Sequence, residues 1–202
     1  GDDSDIQQNG LNHDAKVAQA GDNTSTVNQS GFNQVADVDQ TGDGNLSSVD
    51  QSLGRNKAKV VQDGDDNTSS VVQTFVTLTG VAANADVYQE GERNASSVKQ
   101  YSNSDAFVDQ IGADNESTIT QNLALNGSIA NAWQEGNSNT STITQNGLGG
   151  DHEASLKQTG DFNESTILQS NYNNTATVTQ TGNLNVSFVN QTGAGNTTTV
   201  HQ

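Results

Sequence analysis

The stretch Gln110-Ile111-Gly112-Ala113-Asp114-Asn115-Glu116-Ser117-Thr118-Ile119-Thr120-Gln121 carries the pattern on which the whole chain is built. Asn115, Ser117, Ile119 and Gln121 alternate with Glu116, Thr118 and Thr120. A period of two is the signature of a β-strand with one constrained face. Gly112, two residues after the first glutamine, supplies the backbone freedom of a tight turn. The stretch reads as a turn and then a strand that ends on glutamine.

The same strand recurs along all 202 residues. Of 20 glutamines, 18 form one series: Gln8, Gln19, Gln29, Gln40, Gln51, Gln62, Gln73, Gln89, Gln100, Gln110, Gln121, Gln134, Gln145, Gln158, Gln169, Gln180, Gln191 and Gln202. The usual spacing is 11, with two gaps of 10, two of 13 and one of 16. Two residues before each glutamine sits an aliphatic side chain, from Ile6 through Val17, Val27, Val38, Val49, Val60, Val71, Val98, Ile119, Ile143, Ile167, Val178 and Val189 to Val200. Ala132 is the weak case. Four residues before, serine and alanine take turns from strand to strand, and only Thr198 departs from this.

The turns alternate as well. Those leading into serine strands carry glycine and then Asn23, Asn45, Asn67, Asn94, Asn115, Asn139, Asn163 or Asn185. Those leading into alanine strands are irregular, and three of them hold the long gaps: Phe75 to Val81, Leu123 to Leu125, and Leu148 to Asp151. The true unit is therefore about 22 residues, two strands and two turns.

These features predict an all-β fold, a single repeat domain over residues 1–202. About nine two-strand coils would stack as a β-solenoid, its two parallel sheets facing each other in the cross-β manner. At roughly 4.8 Å per strand the column is roughly 43 Å long. Folding one unit back sets Gln19 opposite Asn23, Val17 opposite Ser25 and Ala15 opposite Val27, so large meets small across the core. Along the column, Gln19, Gln29, Gln40, Gln51, Gln62, Gln73, Gln100, Gln121, Gln145, Gln169 and Gln191 are expected to form amide ladders, as are the eight asparagines.

Composition excludes several classes. Hydrophobic residues are 30% of the chain, against roughly 45–50% in ordinary domains. With no cysteine there is no disulfide scaffold, thiolate metal site or thiol enzyme. Seven basic against 24 acidic residues, a net charge of -17, speak against a nucleic-acid partner. No apolar run approaches the roughly 20 residues of a membrane span. Serines and histidines do not converge, so no catalytic, cofactor or metal site is expected. Asp63-Gly64-Asp65-Asp66-Asn67 lacks the closing glutamate of a calcium loop and reads as a solvated turn.

The motif runs from Ile6 and Gln8 to Val200 and Gln202 without a helix or divergent repeat to cover either end. These four residues are the expected polymerisation edges, because an uncovered sheet edge templates another strand. Q-x-G-x-x-N-x-[AS]-x-[VI]-x-Q, as in Gln110 to Gln121, resembles the curlin repeat. The resemblance covers essentially the whole chain. It implies a subunit of curli, the extracellular functional amyloid of bacterial biofilms, more like a major than a minor subunit. By the same resemblance the partners are the chain itself, a nucleator subunit and an outer-membrane secretion pore. Biofilm matrix and adhesion are the implied roles, and the chain reads as a mature or trimmed core. A monomeric solenoid with a binding face, such as an ice binder using Thr118, Thr120, Thr140, Thr142 and Thr144, is the alternative. Tyr88, Phe107, Ile129 and Trp133 should project together from the alanine sheet as an exposed patch.

Overall fold

The structure is a computed structural model that describes residues 1–74, 82–101, 103–122, 127–147 and 151–202. The long-gap segments at 75–81, 123–125 and 148–150 lie outside the described residues. Among the described residues there is no helix.

The described residues form eighteen successive strands. The serine strands are β1 (Asp3–Leu11), β3 (Thr24–Phe32), β5 (Leu46–Leu53), β7 (Thr68–Thr74), β9 (Ala95–Gln100), β11 (Glu116–Asn122), β13 (Thr140–Asn146), β15 (Glu164–Tyr172) and β17 (Val186–Ala194). The alanine strands are β2 (Asp14–Ala20), β4 (Val35–Thr41), β6 (Lys57–Asp65), β8 (Asn84–Glu92), β10 (Ser104–Ala113), β12 (Ser128–Asn137), β14 (Glu153–Thr159), β16 (Thr175–Thr181) and β18 (Thr197–His201).

Odd strands form one nine-stranded sheet and even strands the other, all in parallel. The solenoid thus has nine rungs joined by eight steps. Register keeps like over like: Gln29 pairs with Gln51, Val27 with Val49 and Ser25 with Ser47. The insertions that lengthen three turns leave this register intact, as Gln73 still pairs with Gln100 and Gln121 with Gln145.

Every interior strand buries alternate residues. The core is a narrow seam of Val, Ile and Ala, with serine and amide side chains buried among them. Ala132 is as buried as its neighbours in the column, Val108 and Leu156. A small side chain is accommodated there because the rungs on both sides supply larger ones. The serine hydroxyls bond only in part: Ser141 donates to Ser117 at 3.0 Å, whereas Ser25 and Ser47 find no partner. Small volume at close sheet approach, rather than hydrogen bonding, is what those positions have in common.

Several strands run past their glutamine through the glycine that the sequence reads as a turn: Gly31, Gly64, Gly91 and Gly112 all stay paired. On these rungs the ladder continues around the bend, whereas Gly21, Gly42, Gly160 and Gly182 lie just past the strand ends. Gly112 has φ +120°, and a Cβ there would collide with the carbonyl oxygen of Gly136 on the next rung. Glycine is required at this position for both its conformation and its close approach.

Candidate functional site

The buried amides form continuous columns. In the serine sheet Gln8, Gln29, Gln51, Gln73, Gln100, Gln121, Gln145, Gln169 and Gln191 are linked, each Nε2 donating to the Oε1 of the next at 2.8–3.0 Å. In the alanine sheet Gln19, Gln40, Gln62, Gln89, Gln110, Gln134, Gln158, Gln180 and Gln202 do the same at 2.7–3.0 Å. Each interior glutamine also donates to a backbone carbonyl of the facing sheet, as Gln40 does to Thr24 at 3.2 Å and Gln121 to Asp105 at 3.1 Å. A buried amide is costly alone. Here each one is satisfied along the column and across it.

Asparagine forms a third column that runs the other way. Asn45 Nδ2 donates back to Asn23 Oδ1 at 3.0 Å, and its backbone N–H donates to the same oxygen at 3.0 Å. Asn45 Nδ2 also donates forward to the Gly64 carbonyl at 2.7 Å. The same side-chain bond recurs at Asn67, Asn115, Asn139, Asn163 and Asn185, while Asn94 reaches Asn67 Oδ1 through its backbone N–H. Asp2 takes the asparagine position on the first rung and accepts from the Asn23 N–H at 3.1 Å.

One consequence is polarity. At the first rung the amide oxygens of Gln8 and Gln19 accept from no glutamine, and at the last rung the amide nitrogens of Gln191 and Gln202 donate to none, among the described residues. The first rung and β18 expose more of what interior rungs bury. Ile6 is 42% exposed and Val17 and Val200 are only partly buried, whereas the rest of this aliphatic column, Val189 of β17 included, is buried.

A fourth inward column lies at the asparagine offset in the alanine strands, where the sequence holds no constant residue. Gln34, Asn56, Ser104, Ser128, His152 and Asn174, six residues before their glutamines, are all buried. His152 is 2% exposed, and its Nδ1 accepts the Asn174 N–H at 3.3 Å. Burial pushes its pKa below the ordinary imidazole value. The available signal was position alone, since the same offset holds asparagine in the serine strands.

Outward faces differ. On the serine sheet Thr118, Thr142 and Thr166 stack, beside Thr120 and Thr144. Lys99, Leu168 and Phe188 interrupt this array. On the alanine sheet Phe107, Ile129 and Trp133 are each about two-fifths exposed, with Tyr88 less so. Lys157 places its ammonium 3.9 Å from the Trp133 ring centroid.

The curlin associated repeat, as a family model, matches residues 22–52, 83–122 and 173–202, together half of the chain. No curated protein matches it. Family and fold point to a structural protein rather than an enzyme. The three matched segments carry the same glutamine, aliphatic and small-residue columns as the rest of the solenoid, and the chain belongs to the curlin family as a curli-type subunit.

Proposed function

We propose that this chain polymerises head to tail into an extracellular cross-β fibre that serves as biofilm matrix and adhesive scaffold. The observation that carries the reading is the single polarity of the two glutamine columns, which end in acceptors on one rung and donors on the other. The last rung offers Asn185, Ser187, Val189 and Gln191 beside Asn196, Thr198, Val200 and Gln202. The first offers Asp2, Ser4, Ile6 and Gln8 beside His13, Ala15, Val17 and Gln19. The glutamine and aliphatic columns match between the two sets, as does Ser4 with Ser187, while Asp2, His13 and Ala15 stand where the last rung has Asn185, Asn196 and Thr198. A contact between unlike faces does not close on itself, so it propagates. By family resemblance, export runs through an outer-membrane pore and a nucleator subunit starts the fibre.

The test is the purified chain incubated at neutral pH and followed by electron microscopy and fibre diffraction. Unbranched fibres with a roughly 4.8 Å repeat along the axis are expected. Ile6→Asp, which places a charge on the exposed first-rung edge, should slow elongation strongly while leaving the monomer folded. Monomers that persist for days, or fibres indifferent to Ile6→Asp, would overturn the proposal.

A further inference from the structure

The outer face of the alanine sheet holds a groove of about 320 Å³ between Tyr88 of β8, Asp109 of β10 and Trp133 of β12, with Phe107 beside them. Register sets Asp109 directly between Tyr88 and Trp133, one strand from each. The two aromatic residues are therefore about two strand spacings, roughly 9.6 Å, apart. A group midway lies roughly 4.8 Å from each by the same spacing, inside the roughly 6 Å reach of a cation–π contact. Lys157 already occupies the β14 side of the Trp133 ring, which leaves the side toward β10 facing the groove.

The floor of the groove is anionic and unneutralised. Oδ1 of Asp109 is buried and makes no hydrogen bond. Its carboxyl is pushed above the usual range, first by burial and then by repulsion from Glu90, Asp86 and Glu135. The Tyr88 hydroxyl donates to Glu90 at 2.8 Å, which ties that side of the groove in place. Lys59 lines the far end, level with Asp86 on the neighbouring strand rather than with Asp109. A half-buried carboxylate between two aromatic side chains is complementary to a compact, weakly hydrated cation.

We propose that this groove binds an organic quaternary ammonium group, seated between Tyr88 and Trp133 over the Asp109 carboxylate. Phe107 lines the groove beside them and adds apolar contact area. The site lies on an outer face and so does not depend on fibre formation. One copy per subunit would repeat along any fibre.

Trp133 is the one tryptophan in the chain, so its emission reports on the groove alone. The full-length chain is titrated with choline, with vesicles of phosphatidylcholine, and with the uncharged isostere 3,3-dimethylbutan-1-ol. A saturable emission change with choline or with vesicles is expected, and the responding arm identifies a free ammonium or a lipid headgroup. Asp109→Asn keeps the shape of the side chain and should weaken that response tenfold or more. Tyr88→Leu should weaken it too, and circular dichroism verifies that both variants keep the β fold. No saturable change in either arm, an equal response to the isostere, or full binding by Asp109→Asn would overturn the proposal.

Discussion

At the scale of single residues, the inward glutamine is the unit from which the fold is built. Gln121 accepts from Gln100 and donates to Gln145, Asp105 and Ser128. Gln121→Ala strands all of these groups in a dry seam. Unpaired buried polar groups cost about 1–3 kcal/mol each, so a total loss of about 2–4 kcal/mol is expected from chemical denaturation after partial relaxation. Gln7→Ala, on the exposed face, should cost under about 0.5 kcal/mol. His152 adds a pH dependence. Its folded pKa lies below the ordinary value, so the unfolded chain takes up the proton first as pH falls. Stability is then full above roughly pH 6.5 and declines as pH drops through that value. His152→Asn supplies the acceptor that Asn174 itself gives to the Asn196 N–H. It should reduce the difference in denaturation midpoint between pH 7.5 and pH 5.5. The glutamine column was legible in sequence because one residue type, able to donate and accept along a stack, closes every repeat. The column holding His152 was not, because it mixes Gln34, Asn56, Ser104, Ser128 and His152 and keeps no single chemistry.

At the scale of strands and turns, spacing from the glutamine located every strand, and glycine located the bends. The sequence did not show that pairing carries on through those glycines. That follows from stacking, which a single strand cannot reveal. Gly112→Ala sets a Cβ against the Gly136 carbonyl at φ +120°. It should destabilise the chain by about 3 kcal/mol or more, since backbone strain of about 1–3 kcal/mol adds to the collision. Gly127→Ala, where the nearest atom to a new Cβ is the Asn103 carbonyl oxygen at 3.8 Å, should be nearly neutral in the same denaturation assay. Asp109→Asn removes a carboxylate held against burial and three like charges. It should raise the denaturation midpoint at neutral pH, the opposite of what loss of a structural ion pair would do. The groove around Asp109 was half legible. Alternation put Tyr88, Phe107 and Trp133 on one face, but only strand register brings Asp109 between two rings.

At the scale of the molecule, the rung is the module. Deleting residues 41–62 joins Gln40 to Asp63-Gly64-Asp65-Asp66-Asn67, the same turn one rung later. The shortened chain should fold and keep its β circular dichroism, with one strand fewer in each sheet. Deleting only residues 41–51 sends Ala58 and the strands after it into the opposite sheet, where serine columns and asparagine turns no longer meet their own kind. That chain should lose its cooperative unfolding transition, as a one-sheet slip changes every inward contact. Charge acts at this scale too. A net -17 opposes the approach of two copies, and physiological salt screens beyond about 8 Å. Light scattering should therefore show faster association at 0.5 M than at 0.02 M salt, and faster at pH 5 than at pH 8.

The opposed directions of the amide columns have an electrical meaning. Each side-chain amide is a dipole comparable to the roughly 3.5 D of a peptide unit. In both glutamine columns the oxygen end faces the first rung and the N–H end faces the last. Asparagine side chains oppose them about once per rung, and twice on the last. About one amide dipole per rung is left over, and nine rungs in line sum it much as a helix sums its peptides. The solenoid thus carries an axial field that its formal charges do not describe. Two copies meeting end to end feel an orienting torque before any strand is paired. It turns unlike ends toward each other, and it turns like ends away.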